Sequence, residues 1–268
     1  MTRLTRFAAS LLVFLIFAGL VGPTLWNQDP NAIQLSERLE SPTLAHPFGL
    51  DQNGTDVLAQ TLFGARTTLA ISFSVVAISL VIGLLVGSHA GWWGGSQDFA
   101  ISRLIDVFQA FPGFLLSLAL VAVMGPSVSH LIFAMCLTGW VGFARVTRAQ
   151  VLQLKSRDFV MSAQALGASV PRLVIRHIWP NLAAILAVQC AFALSGVILA
   201  ESGLSFLGLG VPADVPTWGA LINSGRRFLA EAPHISLFPG LALASLVFCV
   251  QILGEGLRGR LNPREQRH

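Results

Sequence analysis

Six runs of mostly apolar residues, each long enough to cross a lipid bilayer, constrain this chain more than any other feature of its sequence. They are Phe7–Trp26, Thr67–Ser88, Leu104–Met124, Val128–Val146, Leu182–Ala200 and Ile235–Leu253. The hydrocarbon core of a bilayer is about 30 Å thick and a helix rises about 1.5 Å per residue, so roughly 20 apolar residues suffice. In lipid an unpaired backbone amide has no water to bond, which excludes open sheets and leaves helices. Composition agrees: 54% of residues are hydrophobic, 11% are charged and the mean hydropathy is +0.70. A soluble domain carries about 25% charged residues. The expected fold is all-α, a polytopic membrane protein with six transmembrane helices.

The first run has a second reading as a signal peptide, since Arg3 and Arg6 precede it and "FAGL" offers small residues. Its continuation through Leu20 and Val21 to Trp26 favours an uncleaved anchor. Cys136, Cys190 and Cys249 each lie within an apolar run and read as small hydrophobes rather than a disulfide or zinc framework.

Loop charge sets the expected orientation. With the N-terminus inside, one side collects Arg3, Arg6, Arg103, Arg145, Arg148, Lys155, Arg157, Arg172, Arg176, Arg258, Arg260, Arg264 and Arg267. The other keeps Arg38, Arg66, Arg226 and Arg227. Lys and Arg concentrate in cytoplasmic loops, so both termini are expected in the cytoplasm. The net charge of +4 then orients the chain in its membrane and does not call for a nucleic-acid partner.

Two segments are expected on the outer side. Residues 27–66 end in a turn and a short amphipathic stretch, Asp56–Phe63. Residues 201–234 open with an apolar sequence broken by Gly and Pro, which reads as a re-entrant segment or as an ordinary capping loop. Glu201, Ser205 and Phe206 are candidates for the translocation pathway; interfacial solvation is the alternative role for Glu201.

The inside loop 147–181 holds "FVMSAQALGASVPRLVIRHIWPN". Phe159, Val160, Ala163, Leu166 and Gly167 cluster on one side of a helix that Gly167 ends. Ser169 can cap a second short helix, with Pro171 in its first turn. Leu173, Val174 and Ile178 form an apolar stripe, Arg172 and Arg176 share another face, and Pro180 marks a break before the next span. A basic helix pair lying on anionic lipid is one reading; a small-surfaced knuckle entering a groove on another protein is the other.

This loop resembles that of permease subunits of ATP-binding-cassette (ABC) importers, with Ala163, Gly167 and Pro180 at the motif's alanine, glycine and proline. Met161, Ser162 and Trp179 stand where that family has glutamate, alanine and leucine. "HPFGLDQNGTDVLAQTLFGAR", "DVFQAFPGFLLSLAL", "LTGWVGFARVTRAQVL", "ESGLSFLGLGVP", "WGALI" and "LFPGLAL" extend the resemblance to the second, C-type (DppC/OppC-like) permease of dipeptide, oligopeptide and nickel importers. Asn53 and Thr55 depart from the usual signature.

The resemblance implies a type I ABC importer permease (MetI-like) fold in a bacterial inner membrane. It divides the chain into an anchor and outer segment at 1–66, a permease domain at 67–258 with its coupling loop at 147–181, and a tail at 259–268. It also implies that Phe159, Val160, Met161, Ser162, Ala163, Leu166, Gly167, Ala168, Ser169, Arg172, Arg176 and Pro180 dock on an ATPase. The implied partners are a homologous permease, two ATPase subunits and an extracytoplasmic solute-binding protein, with short peptides as substrate and nickel or opine-like solutes as alternatives.

The sequence shows no Gly-x-x-x-x-Gly-Lys-Ser/Thr loop, no H-E-x-x-H and no placed catalytic nucleophile, so ATP is expected on partner subunits and no cofactor, metal or catalytic residue is expected here. An ion-coupled secondary carrier is the competing class. It calls for ionisable groups at mid-span, and Asp106, Arg145, Arg148 and Glu255 all fall near span ends. A non-transporting interaction or sensor subunit is the third class.

Overall fold

The computed structural model describes residues 3–261; Arg264 and Arg267 lie outside them. In chain order the helices are α1 (Arg3–Trp26), α2 (Val57–Trp93), α3 (Gly95–Ala110), α4 (Gly113–Met124), α5 (Val128–Leu154), α6 (Asp158–Ala165), α7 (Val170–Leu173), α8 (Trp179–Phe206), α9 (Trp218–Gly225) and α10 (His234–Leu261). A π-helical turn, Val174–Ile178, joins α7 to α8 and makes one apolar helix of 37 residues, Val170–Phe206. Among the described residues five helices are long and apolar enough to cross a membrane, and six crossings result if the bent pair α3–α4 counts as one. The all-α membrane architecture expected from the sequence is present.

The third expected span, Leu104–Met124, is not one helix. α3 and α4 meet at 77° around Phe111–Pro112. Pro112 has no N–H to donate and disfavours helical geometry at the residue before it; Phe111 is extended, at φ −97° and ψ 135°. The second expected span starts earlier than Thr67. Asp56 accepts a hydrogen bond from Ala59 N at 2.7 Å and caps α2, so the stretch at 56–63 is the first two turns of that helix. The boundary placed at 66/67 therefore falls inside α2. With 37 residues, α2 is about 55 Å long and projects beyond the hydrocarbon.

Asp56 also joins the elements around it. Trp26 Nε1 at the end of α1 donates to Oδ1 at 3.1 Å, and His46 Nδ1 lies 2.8 Å from Oδ2. One carboxylate thereby ties α1, the 41–50 loop and α2 together.

The most extensive helix contact is between α2 and α5. A Cβ placed on Gly83 would sit 2.7 Å from the Trp140 carbonyl oxygen, on Gly87 2.4 Å from that of Ala144, and on Gly91 2.9 Å from that of Arg148. The three glycines recur every fourth residue along one face of α2, so the two backbones touch directly, as small-xxx-small seams permit in lipid. Packing around the seam buries Val76, Phe143 and Val151, with Trp140, Val141 and Ala144 beside Ile105 of α3. α1 and α10 pack on each other where Thr5 meets Gly256, and Gly22 of α1 rests on Leu62 of α2. Cys136 and Cys249 are buried and Cys190 is half-buried, all as free thiols.

Replacing Gly87 by Ala is expected to destabilise the chain by about 1–3 kcal/mol, because backbone atoms on α5 cannot move aside as a side chain can. Gly196, with open space at its Cβ position, serves as the control. Thermal unfolding in detergent should show a marked loss for Gly87→Ala and little change for Gly196→Ala.

Candidate functional site

The loop between α5 and α8 is a folded knuckle attached to the end of the α2–α5 pair. Lys155 Nζ donates to the carbonyls of Gly91 (3.1 Å) and Trp92 (3.4 Å), placing a cation on the last turn of α2, where the helix dipole favours it. α6 then turns back. Gly167 has φ +88°; its N–H bonds Gln164 O at 2.9 Å, and Ala168 N bonds Ala163 O at 3.1 Å. These two bonds define a Schellman stop, as the sequence led one to expect of Gly167. Space around its Cβ position is open, so the backbone conformation alone demands glycine.

Three local expectations change. Ser169 stands at the cap position of α7 but its side chain makes no capping bond. Pro171 occupies the second helical position and removes one of the two N–H groups a cap accepts from. Pro180 does not break the helix. The turn before it widens, Trp179 N bonding Val174 O five residues back, and Asn181 Nδ2 donates to the His177 carbonyl at 2.6 Å. A widened turn accommodates a proline ring that would otherwise press on the carbonyl four residues earlier.

The third change concerns the apolar face. Phe159, Val160, Ala163, Leu166 and Gly167 do not form one surface. Val160 is buried and Ala163 half-buried against the chain's own α5, together with Leu173, Val174 and Ile178. Trp179 Nε1 fastens this base to α2 by a 3.0 Å bond to Ser88 Oγ. The outward side carries Phe159 at 44%, Met161 at 52% and Leu166 at 89% exposure. Ser162, Gly167, Ser169, Arg172, Arg176 and Pro180 are also exposed, and Ala168 is half-buried. The knuckle is thus two-sided: its inner face is core, and a few large apolar side chains stand free on the other.

Sequence reasoning missed two supports beside it. Arg148 on α5 pairs with Asp98 on α3, Nη2 to Oδ2 at 2.7 Å and Nε to Oδ1. Arg145 Nη2 donates to Gln109 Oε1. The Gly83, Gly87, Gly91 spacing was a legible signal for the seam that holds Lys155 over α2. The expected Arg103–Asp106 pair is present at 3.5 Å between exposed side chains.

The pathway candidates lie at the far end of α8 and are not on an open surface. Glu201 is 0% exposed, accepting from Ser205 Oγ at 2.8 Å and Ser202 Oγ at 3.2 Å. Ser205 is buried as well; Phe206 is half-buried, with the Arg226 guanidinium 5.6 Å from its ring centre. α9 covers this region: a Cβ on Gly219 would lie 2.1 Å from Ser202 O. Segment 201–234 thus begins inside α8, turns at Gly208 (φ +78°), and continues as a loop, α9 and a 3₁₀ turn at Arg226–Phe228.

Residues 79–267, which include the seam, the knuckle and the covered end of α8, match the model of the binding-protein-dependent transport system inner membrane component family. The chain belongs to that family. A putative peptide transport system permease protein of Brucella suis biovar 1 is 36% identical over 98% of this chain and 88% of its own length. The dipeptide transport system permease protein DppC of Alkalihalophilus pseudofirmus is 35% identical over 95% of this chain and 83% of its own. The oligopeptide transport system permease protein OppC of Bacillus subtilis is 33% identical over 98% and 86%. In fold, the permease resembles an inward-facing structure of the MetNI methionine ABC transporter, with a TM-score of 0.58 at 17% identity over 73% of this chain and 94% of that one. A structure of an amino acid ABC transporter gives a TM-score of 0.54 at 16% identity over 76% and 94%. The family is a transport component of the inner membrane, and the fold is that of ABC importer permeases.

Gly167→Ala forces a side chain into left-handed geometry and should cost about 1–2 kcal/mol locally. The loop 156–170 is expected to become several-fold more sensitive to protease. Leu166→Ser, which removes an 89% exposed side chain, should leave both protease resistance and thermal stability of the permease unchanged.

Proposed function

We propose that this permease is one membrane-spanning half of an ATP-driven importer of short peptides. It works with a homologous permease, two ATPase subunits and an extracytoplasmic solute-binding protein. The observation that carries this reading is the two-sided knuckle. A folded base fixed to α2 and α5 presents Phe159, Met161 and Leu166 outward, as a small protein groove requires and a helix lying flat on lipid does not. The peptide and dipeptide permeases among its relatives support peptides as the substrate class.

Charge supports an orientation with the knuckle in the cytoplasm. The start of α1, the α5 end, the knuckle and the end of α10 lie at the same end of the bundle. They carry Arg3, Arg6, Arg145, Arg148, Lys155, Arg157, Arg172, Arg176, Arg258 and Arg260. Docked there, ATPase subunits that close on ATP would press on the knuckle, and the continuous helix Val170–Phe206 would carry that motion to the opposite end. ATP chemistry belongs to the partners in this scheme; the chain's own residues receive and transmit a displacement, and substrate passes between the two permeases by alternating access.

Leu166→Asp tests the docking. It places a charge on an exposed tip, so the permease should fold normally while recovery of the ATPase on purification from detergent falls about tenfold, equivalent to ~1.4 kcal/mol. Substrate-stimulated ATP hydrolysis should fall with it. Undiminished recovery and hydrolysis would remove the knuckle from the ATPase contact.

A further inference from the structure

At the end of the bundle opposite the knuckle, segments 31–60 and 205–224 enclose a cavity of about 440 Å³. Its wall is mixed: Asn31, Asp51, Gln60, Ser205, Asn223 and Ser224 contribute polar side chains among apolar ones such as Val211, Pro212 and Leu221. Asp51 is the one charged residue in the lining, and no Lys, Arg or His of the described residues joins it there.

Asp51 is 4% exposed. Its Oδ1 accepts from Asn53 N at 2.7 Å and Thr55 N at 2.9 Å, which orders the loop; Oδ2 accepts only from Gln60 Nε2, at 3.1 Å. None of the ion pairs among the described residues includes Asp51. Gln60 is 9% exposed, and its Nε2 also faces Pro30 O at 3.4 Å. Because both neighbours of Nε2 are acceptors, the amide orientation is set, and Oε1 is left buried without a partner. Ser205 spends its hydrogen on Glu201, so its oxygen retains only acceptor capacity toward the cavity.

A carboxylate without a counter-charge and a hydroxyl oxygen thus belong to residues that line one cavity, beside the amides of Asn31 and Asn223. Their complement is a cation with several N–H donors. A primary ammonium, which has three donors and no acceptor, fits this set. A calcium ion seeks six to eight oxygen ligands and finds a single carboxylate in the wall.

We propose that this cavity binds the ammonium group of a primary amine and, resting on the importer reading above, that this group is the free α-ammonium of the incoming peptide. The carboxylate of Asp51 supplies the charge.

The test uses the full assembly in membrane vesicles, with Asn223→Cys in a chain whose Cys136, Cys190 and Cys249 are replaced by alanine. The cationic aminoethyl methanethiosulfonate is expected to label the new thiol about tenfold faster than the anionic sulfonatoethyl reagent. Asp51→Asn keeps an acceptor for the loop N–H groups and should bring the two rates close together. Dialanine should slow the cationic labelling, and N-acetyl-dialanine should not. Equal labelling rates in the parent, or equal protection by the acetylated peptide, overturn the ammonium site. Protection by substrate-free binding protein but not by dialanine would assign the ammonium to a lysine of that protein and overturn the substrate assignment. ATP-driven dialanine uptake by the same cysteine variant separates the two readings. Uptake without a charge preference rejects the cavity alone, and a charge preference without uptake rejects the importer alone.

Discussion

The direct backbone contact between α2 and α5 is what the rest of this molecule depends on. Lipid tails are as apolar as leucine, so burying apolar surface does little to hold helices together in a bilayer, and close packing must do it instead. Gly83, Gly87 and Gly91 let α5 approach until its carbonyls nearly touch the α2 backbone. That distance has chemical consequences at the seam's end. It brings Lys155 within reach of the terminal α2 carbonyls and leaves Ser88 where Trp179 can bond it. The knuckle is therefore held by two helices at once, and its position follows from theirs.

The division of the knuckle into an inner and an outer set of apolar residues separates stability from recognition. Val160, Leu173 and Ile178 keep the loop folded; Phe159, Met161 and Leu166 contribute little to that and remain available. A contact built in this way can form and dissolve without unfolding anything beneath it. At the opposite end the two oxygens of Asp51 divide in a similar way: backbone N–H groups bond Oδ1 to order the loop, while Oδ2 accepts from the Gln60 side chain on α2.

The spans were legible in the sequence because their signal is length and hydropathy, which a bilayer enforces whatever the neighbours do. The stop at Gly167 was legible because it is a local backbone requirement. What failed depended on tertiary cover or on competing signals. Leucines and valines on both sides of Pro112 masked a proline rule that marks the bend. Polar residues such as Gln60 and Arg66 made the start of α2 look like a separate short amphipathic stretch, although a helix that leaves the hydrocarbon has no reason to stay apolar. Glu201 reads as exposed from its place at a span end; its burial comes from α9, and only Gly219 hints at so close a neighbour. Spacing alone likewise could not say which apolar residues of the knuckle face inward, because that is decided by Phe143 and Val151 on another helix.

The widened turn at Val174–Ile178 has one more consequence. By holding α7 and α8 in one line despite Pro180, it makes Val170–Phe206 a single beam of 37 residues, about 55 Å from end to end. A tilt of roughly 10° about one end carries the other through about 10 Å, more than the diameter of a peptide backbone. Leu173 and Ser205, at its two extremes, thus belong to one lever. A small angular error in how the loop is gripped becomes a large positional one at the cavity floor.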